Sequence, residues 1–62
     1  MSEPPSPAAA AIGRAVREER TRRQLSTRAL AAAAGVSQPF LTNVENGRVM
    51  PSIASLYSLA GA

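Results

Sequence analysis

Residues 26–48 read STRALAAAAGVSQPFLTNVENGR. Two short helical patterns meet here at an abrupt break, Ala34-Gly35-Val36-Ser37. A helix needed only to fill a core would run straight through an alanine tract. The glycine and serine instead stop the chain and restart it in a new direction. Ser26 is placed to cap the first of the two helices, with Ala29, Leu30, Ala31 and Ala34 as its inward side. A capping box would want Glu or Gln where Ala29 stands, so that box is half made. Gly35 supplies a backbone that can take a positive φ at the helix end. Ser37 caps the restarted helix, Pro39 falls in its first turn, where proline is tolerated, and Phe40, Leu41 and Val44 give it an apolar side. Asn46-Gly47 ends it.

Upstream, Ser6-Pro7 fits an N-cap followed by proline at the first helical position. From there AAAAIGRAVREERTRR offers strong helix formers, with Ile12 and Val16 four apart and Ala9 and Arg20 on the same stripe. Arg20, Arg22 and Arg23 close this helix against the negative end of its dipole. Residues 1–6, MSEPPS, are proline-rich without hydrophobic anchors and are expected to be a disordered lead-in. Downstream, RVMPS leads to a fourth helix capped by Ser52 and patterned by Ile53, Leu56, Leu59 and Ala60. No stretch alternates with the two-residue period of a half-buried strand, so the expected fold class is all-α, with one domain over residues 7–62.

Composition narrows the function. A chain of 62 residues holds one small domain with a modest core and no room for a large active-site cavity. It contains no cysteine and no histidine, which removes disulfides, thiolate metal sites, the commonest general base and the commonest metal ligand. Its four carboxylates are Glu3, Glu18, Glu19 and Glu45, and the neighbours Glu18 and Glu19 point about 100° apart on a helix, poor geometry for a cooperating acid and base. No enzyme, cofactor or metal is therefore expected. The basic side is all arginine (Arg14, Arg17, Arg20, Arg22, Arg23, Arg28 and Arg48), giving a net charge of +3, the footprint of a phosphate binder. No run of about 20 apolar residues can span a bilayer, and no signal peptide is legible. A cytoplasmic protein with no membrane partner is the expectation.

Two short helices joined through a tight glycine-bearing turn form the helix-turn-helix unit, whose second helix is presented to a groove while the first packs behind it. Ala31 lets the helices approach, Val36 plugs the corner, and Leu41 and Val44 hold the outward helix to the body. Its outward residues are then Ser37, Gln38, Thr42 and Asn43. Gln and Asn both donate to and accept from a base edge, and Ser or Thr reach bases or phosphates. An inert surface helix would more often carry Lys and Glu four apart.

The segments LS…LA…AGVS, LTNVENGR and PSIASLYSLA, in this order and spacing, resemble the helix-turn-helix domain of the Cro and phage-repressor type, the xenobiotic-response-element class of bacterial transcription regulators. The resemblance covers Ile12 to Ala62. It implies a compact, lambda-repressor-like bundle of five helices, of which four are expected here and the fifth is missing, leaving the domain incomplete at its C-terminus. It further implies sequence-specific binding of double-stranded DNA in the bacterial nucleoid, as a homodimer on two-fold symmetric operators. By position, Gln38 and Asn43 become base readers with Ser37 and Thr42 beside them, and Thr27, Arg28, Asn46, Gly47 and Arg48 become phosphate contacts. The resemblance also pairs Arg20, late in the first helix, with Glu45, late in the third, as a structural salt bridge.

The sequence departs from the family at Pro39, where relatives often carry a polar base reader, and at Arg28 and Ala29, where acidic residues are common. The first substitutes apolar contact with a thymine methyl, and the second favours general phosphate affinity. Two rival readings stand beside this one. One is a protein-interaction module of the same fold, such as an antitoxin or co-regulator. The other is a membrane-active cationic peptide, which the scattered arginines and scarce bulky apolar residues disfavour.

Overall fold

A computed structural model describes residues 6–62, so the lead-in expected over 1–6 lies, except for Ser6, outside the described residues. Four helices follow one another: α1 (Pro7–Arg22), α2 (Thr27–Ala34), α3 (Gln38–Glu45) and α4 (Ile53–Gly61), with no strand among the described residues. Each starts in the same way. The Oγ atoms of Ser6, Ser26, Ser37 and Ser52 accept from the N–H three residues ahead, at 3.0–3.1 Å, satisfying a donor that the first helical turn leaves open. Pro7 and Pro39 sit in first turns, where the absent N–H removes no helical bond.

The ends are set by backbone conformation. Gly35 closes α2 at φ +72°, and Val36 N–H returns to Ala31 O at 3.0 Å, which turns the chain into α3. The end of α1 is less comfortable. Gln24 takes φ +60° without being glycine, while its N–H donates to Thr21 O. A side chain in this left-handed region strains the backbone by about 1–2 kcal/mol. Gln24→Gly is expected to stabilise the fold by about 0.5–1 kcal/mol, raising the melting temperature by roughly 2–8 °C. Calorimetry checks this; an unchanged or lower midpoint would show that the site is unstrained.

The core is Leu30 and Ala31 of α2, Leu41 of α3 and Leu59 of α4, with Val16, Leu25, Ala34 and Val36 packed against it. Val44 and Leu41 are fully buried. Helix α1 packs on α3, and α2 on both α3 and α4. Gly13 makes the first of these contacts possible. An added Cβ there would lie 2.2 Å from Val44 O and 2.8 Å from Glu45 O, so the backbones of α1 and α3 touch at this point.

Two expected faces need correction. Ala29 is exposed, because Thr27, Leu30, Ala31 and Ala34 already make the i, i+3, i+4, i+7 stripe and an alanine tract gives no period of its own. In α4, Leu56 and Leu59 turn inward, whereas Ile53 (74% exposed), Tyr57 (77%) and Ala60 turn outward. Steps of three residues drift by about 60° per step, so Ile53 stands about 120° from Leu59 on the helix, and packing on α2 covers only part of that arc. Between α1 and α4 the side chains of Ile12, Val16, Leu30, Leu56 and Leu59 line an open groove of ≈ 270 Å³. No helix among the described residues is long and apolar enough to cross a membrane.

Candidate nucleic-acid interface

The sequence of α3 divides it into two faces. Leu41, Val44 and Glu45 are buried, and Ser37, Gln38, Pro39 and Thr42 are exposed, with Asn43 half-buried at their edge. Gln38, Pro39, Thr42 and Asn43 line one shallow depression. Pro39 thus shares the surface that Thr42 and Asn43 present, as an apolar spot among amides and hydroxyls.

Thr27 opens α2 and is joined to this surface. Gln38 Nε2 donates to Thr27 Oγ1 at 3.0 Å across the turn, holding the first side chain of α3 against the first of α2. The Thr27 hydroxyl can still donate outward, and Gln38 keeps its second N–H and its Oε1 for another partner. Arg28, beside Thr27, is exposed.

At the other end of α3, Asn46 is the exposed C-cap, and Arg48 is exposed two residues on. Gly47 differs. It is buried, takes φ +73°, lies against Ala10, and donates its N–H to Val44 O at 3.0 Å. The Arg48 N–H is likewise taken up by Asn43 O at 2.9 Å. Of the three loop positions read as phosphate contacts, Asn46 and Arg48 therefore present side-chain donors, while Gly47 shapes the turn that carries them.

Behind this surface lies a buried ion pair. Arg20 Nε and Nη2 donate to the two carboxylate oxygens of Glu45 at 2.7 and 3.0 Å, and Arg20 Nη1 donates to Leu25 O at 3.0 Å. The Glu45 side chain is 3% exposed and that of Arg20 18%. The Glu45 hydrogen bonds raise the Arg20 guanidinium pKa above its ordinary value, partly opposed by burial. Arg20 is charged at every ordinary pH, and the planar two-bond contact fixes α3 in rotation against α1. Arg17 joins the same carboxylate, with Nε 3.4 Å from Glu45 Oε1, and donates from Nη2 to Asn46 Oδ1 at 2.9 Å. On the far side of α1, the Glu19 carboxyl is held below its usual 4.5 by Arg22 and, less strongly, by Arg23.

Sequence reasoning misses two of these parts. Arg17 stands three residues before Arg20, a spacing that puts both on one side of α1 and offers a usable signal. Gly13 gives no signal of its own, since the need for it depends on which helix crosses there.

Residues 11–62 match the family described as Helix-turn-helix domain. The chain belongs to the helix-turn-helix domain family. No curated protein and no solved structure matches it. In this helix-turn-helix domain, a DNA-binding module, α2, the Gly35 turn and α3 are the parts that give the family its name. Among the described residues, no group of three potential metal-ligating side chains is gathered in one place.

Proposed function

We propose that this helix-turn-helix domain is of the Cro and phage-repressor type and acts as a bacterial transcription regulator, reading double-stranded DNA by sequence with α3 in the major groove. The observation that carries this reading is the exposed face of α3, which is uncharged, rich in amides and hydroxyls, and backed by a buried side. In this reading Gln38 and Asn43 read base edges with Ser37 and Thr42 beside them, and Pro39 offers apolar contact to a thymine methyl. Thr27 and Arg28 at one end and Asn46 and Arg48 at the other grip phosphates, with Gly47 shaping the second grip. The eight residues of α3 rise about 12 Å, close to the ~12 Å width of the major groove, so grips at its two ends suit opposite walls. The protein works in the cytoplasm at the nucleoid, as a homodimer whose half-sites lie about one DNA turn, ~34 Å, apart.

The test is selection from a random duplex library, followed by titrations at several salt concentrations. The selected site should bind with an affinity that falls steeply with salt, since each neutralised phosphate adds about −0.9 to the logarithmic slope. Gln38→Ala with Asn43→Ala should weaken it by about 30-fold or more, as each amide pair with a base contributes about 1–3 kcal/mol. Equal binding to all duplexes, unchanged in the double variant, would refute the reading face. The rival protein-interaction module draws support from exposed Met50, Ile53 and Tyr57, and a folded chain that binds no duplex would favour it.

A further inference from the structure

We infer that Arg17 is a positioning residue that sets Asn46 for phosphate, an inference that rests on the DNA-binding reading above. Arg17 crosses from α1 to the end of α3, where its Nη2 meets Asn46 Oδ1 at 2.9 Å and its Nε faces Glu45 Oε1 at 3.4 Å. An asparagine amide has a donor end and an acceptor end, and on an exposed loop it can present either. A guanidinium carries donors only. Arg17 therefore holds the Asn46 carbonyl inward and leaves Nδ2, with its two N–H groups, facing away.

That orientation decides what the loop can bind. With the carbonyl outward, Asn46 would present a lone pair to a phosphate oxygen and repel it. With the carbonyl engaged, Asn46 Nδ2 and Arg17 Nη1 make a surface of donors alone, neither of them bonded to another described residue. Arg17 remains 54% exposed, so its charge also reaches solvent at this spot. The Glu45 carboxylate, anchored by Arg20, steadies the inner edge of the Arg17 guanidinium. One buried acid thus serves both the joint between α1 and α3 and the aim of the loop.

The experiment follows the Asn46 side-chain amide by NMR while ¹⁵N-labelled 62-residue chain is titrated with the selected duplex. In the unaltered chain, the backbone amides of α3 and the Asn46 Nδ2 signals should both shift. In Arg17→Met, the α3 amides should still shift and Asn46 Nδ2 should not. In binding titrations, Asn46→Ala should weaken affinity by about tenfold, the scale of one hydrogen bond to a charged group, Arg17→Met by at least as much, and the double variant by little more than Arg17→Met alone. Asn46 signals that stay still in the unaltered chain, or that shift equally in Arg17→Met, overturn the inference, as does a double variant whose loss is the product of the two. If Arg17→Met does not fold, Asn46→Asp decides. It keeps the Arg17 contact but turns oxygen outward, so it must bind more weakly than Asn46→Ala, and equal affinities overturn the inference. If the α3 amides themselves do not move, the DNA-binding reading has failed instead.

Discussion

Gly13→Ala is expected to abolish the cooperative thermal unfolding transition of the chain. By helix propensity alone this change should help, since alanine is favoured over glycine inside a helix by about 1 kcal/mol. Packing reverses the sign. The new methyl would stand 2.2 Å from Val44 O and 2.8 Å from Glu45 O, both backbone atoms of α3 that no rotamer change can clear. The helices must separate by an ångström or so, on the order of the missing contact distance, and doing so strips cover from Val44 and stretches the Arg20–Glu45 bonds. A domain of this size has on the order of 3–9 kcal/mol of total stability, and a loss approaching that total leaves much of the population unfolded. Circular dichroism during heating checks this. A Gly13→Ala chain melting at or above the original temperature would show that α1 and α3 do not approach so closely.

Glu45→Ala is expected to lower stability by about 3–5 kcal/mol, because it removes the acceptor for three guanidinium N–H groups and strands Arg20 with only the Leu25 carbonyl. The partner cannot escape by losing its charge, since a guanidinium stays protonated at any ordinary pH and the Glu45 hydrogen bonds raise its pKa further. The damage should therefore come from the orphaned cation more than from the loss of attraction. A paired change, Glu45→Leu with Arg20→Met, removes both charges together and is expected to recover at least half of the loss. Urea unfolding midpoints measure all three chains. Equal losses in the single and paired variants would place the cost in packing rather than in the stranded charge.

What was legible in the sequence was local. The four capping serines show because the acceptor and the N–H it satisfies are three residues apart, and the turn at Gly35 shows because only glycine takes a positive φ without strain. Faces were harder. The exposure of Ala29 is illegible because a tract of alanine has no hydrophobic period, and that of Ile53 because a short helix buries a narrower stripe than its apolar residues span. Contacts that cross the fold were legible only through family resemblance, or not at all. Glu45 came with its arginine partner by resemblance, whereas the Gln38–Thr27 bridge and the Arg17–Asn46 contact join residues 11 and 29 apart, and no periodicity links them. The same holds for the split among Asn46, Gly47 and Arg48: the turn takes up the backbone N–H of all three, so only side chains can reach outward, and the buried glycine has none.

The uneven placement of charge has a kinetic consequence. All seven arginines lie between residues 14 and 48, while the segment that carries α4, residues 49–62, holds no charged side chain. Apart from Arg23, which reaches the Ala60 and Ala62 carbonyls at the end of α4, the arginines sit on the other helices and their loops, so the positive charge is off-centre and the molecule feels a torque near a polyanion before it makes contact. Tumbling is then biased, and a larger share of collisions arrive arginine side first than random orientation would deliver. The bias reaches only about a Debye length, ~10 Å at 0.1 M salt, so it operates in the last step of approach and fades as salt rises. Orientation during encounter is thus built into where this chain places its charges and where it leaves them out.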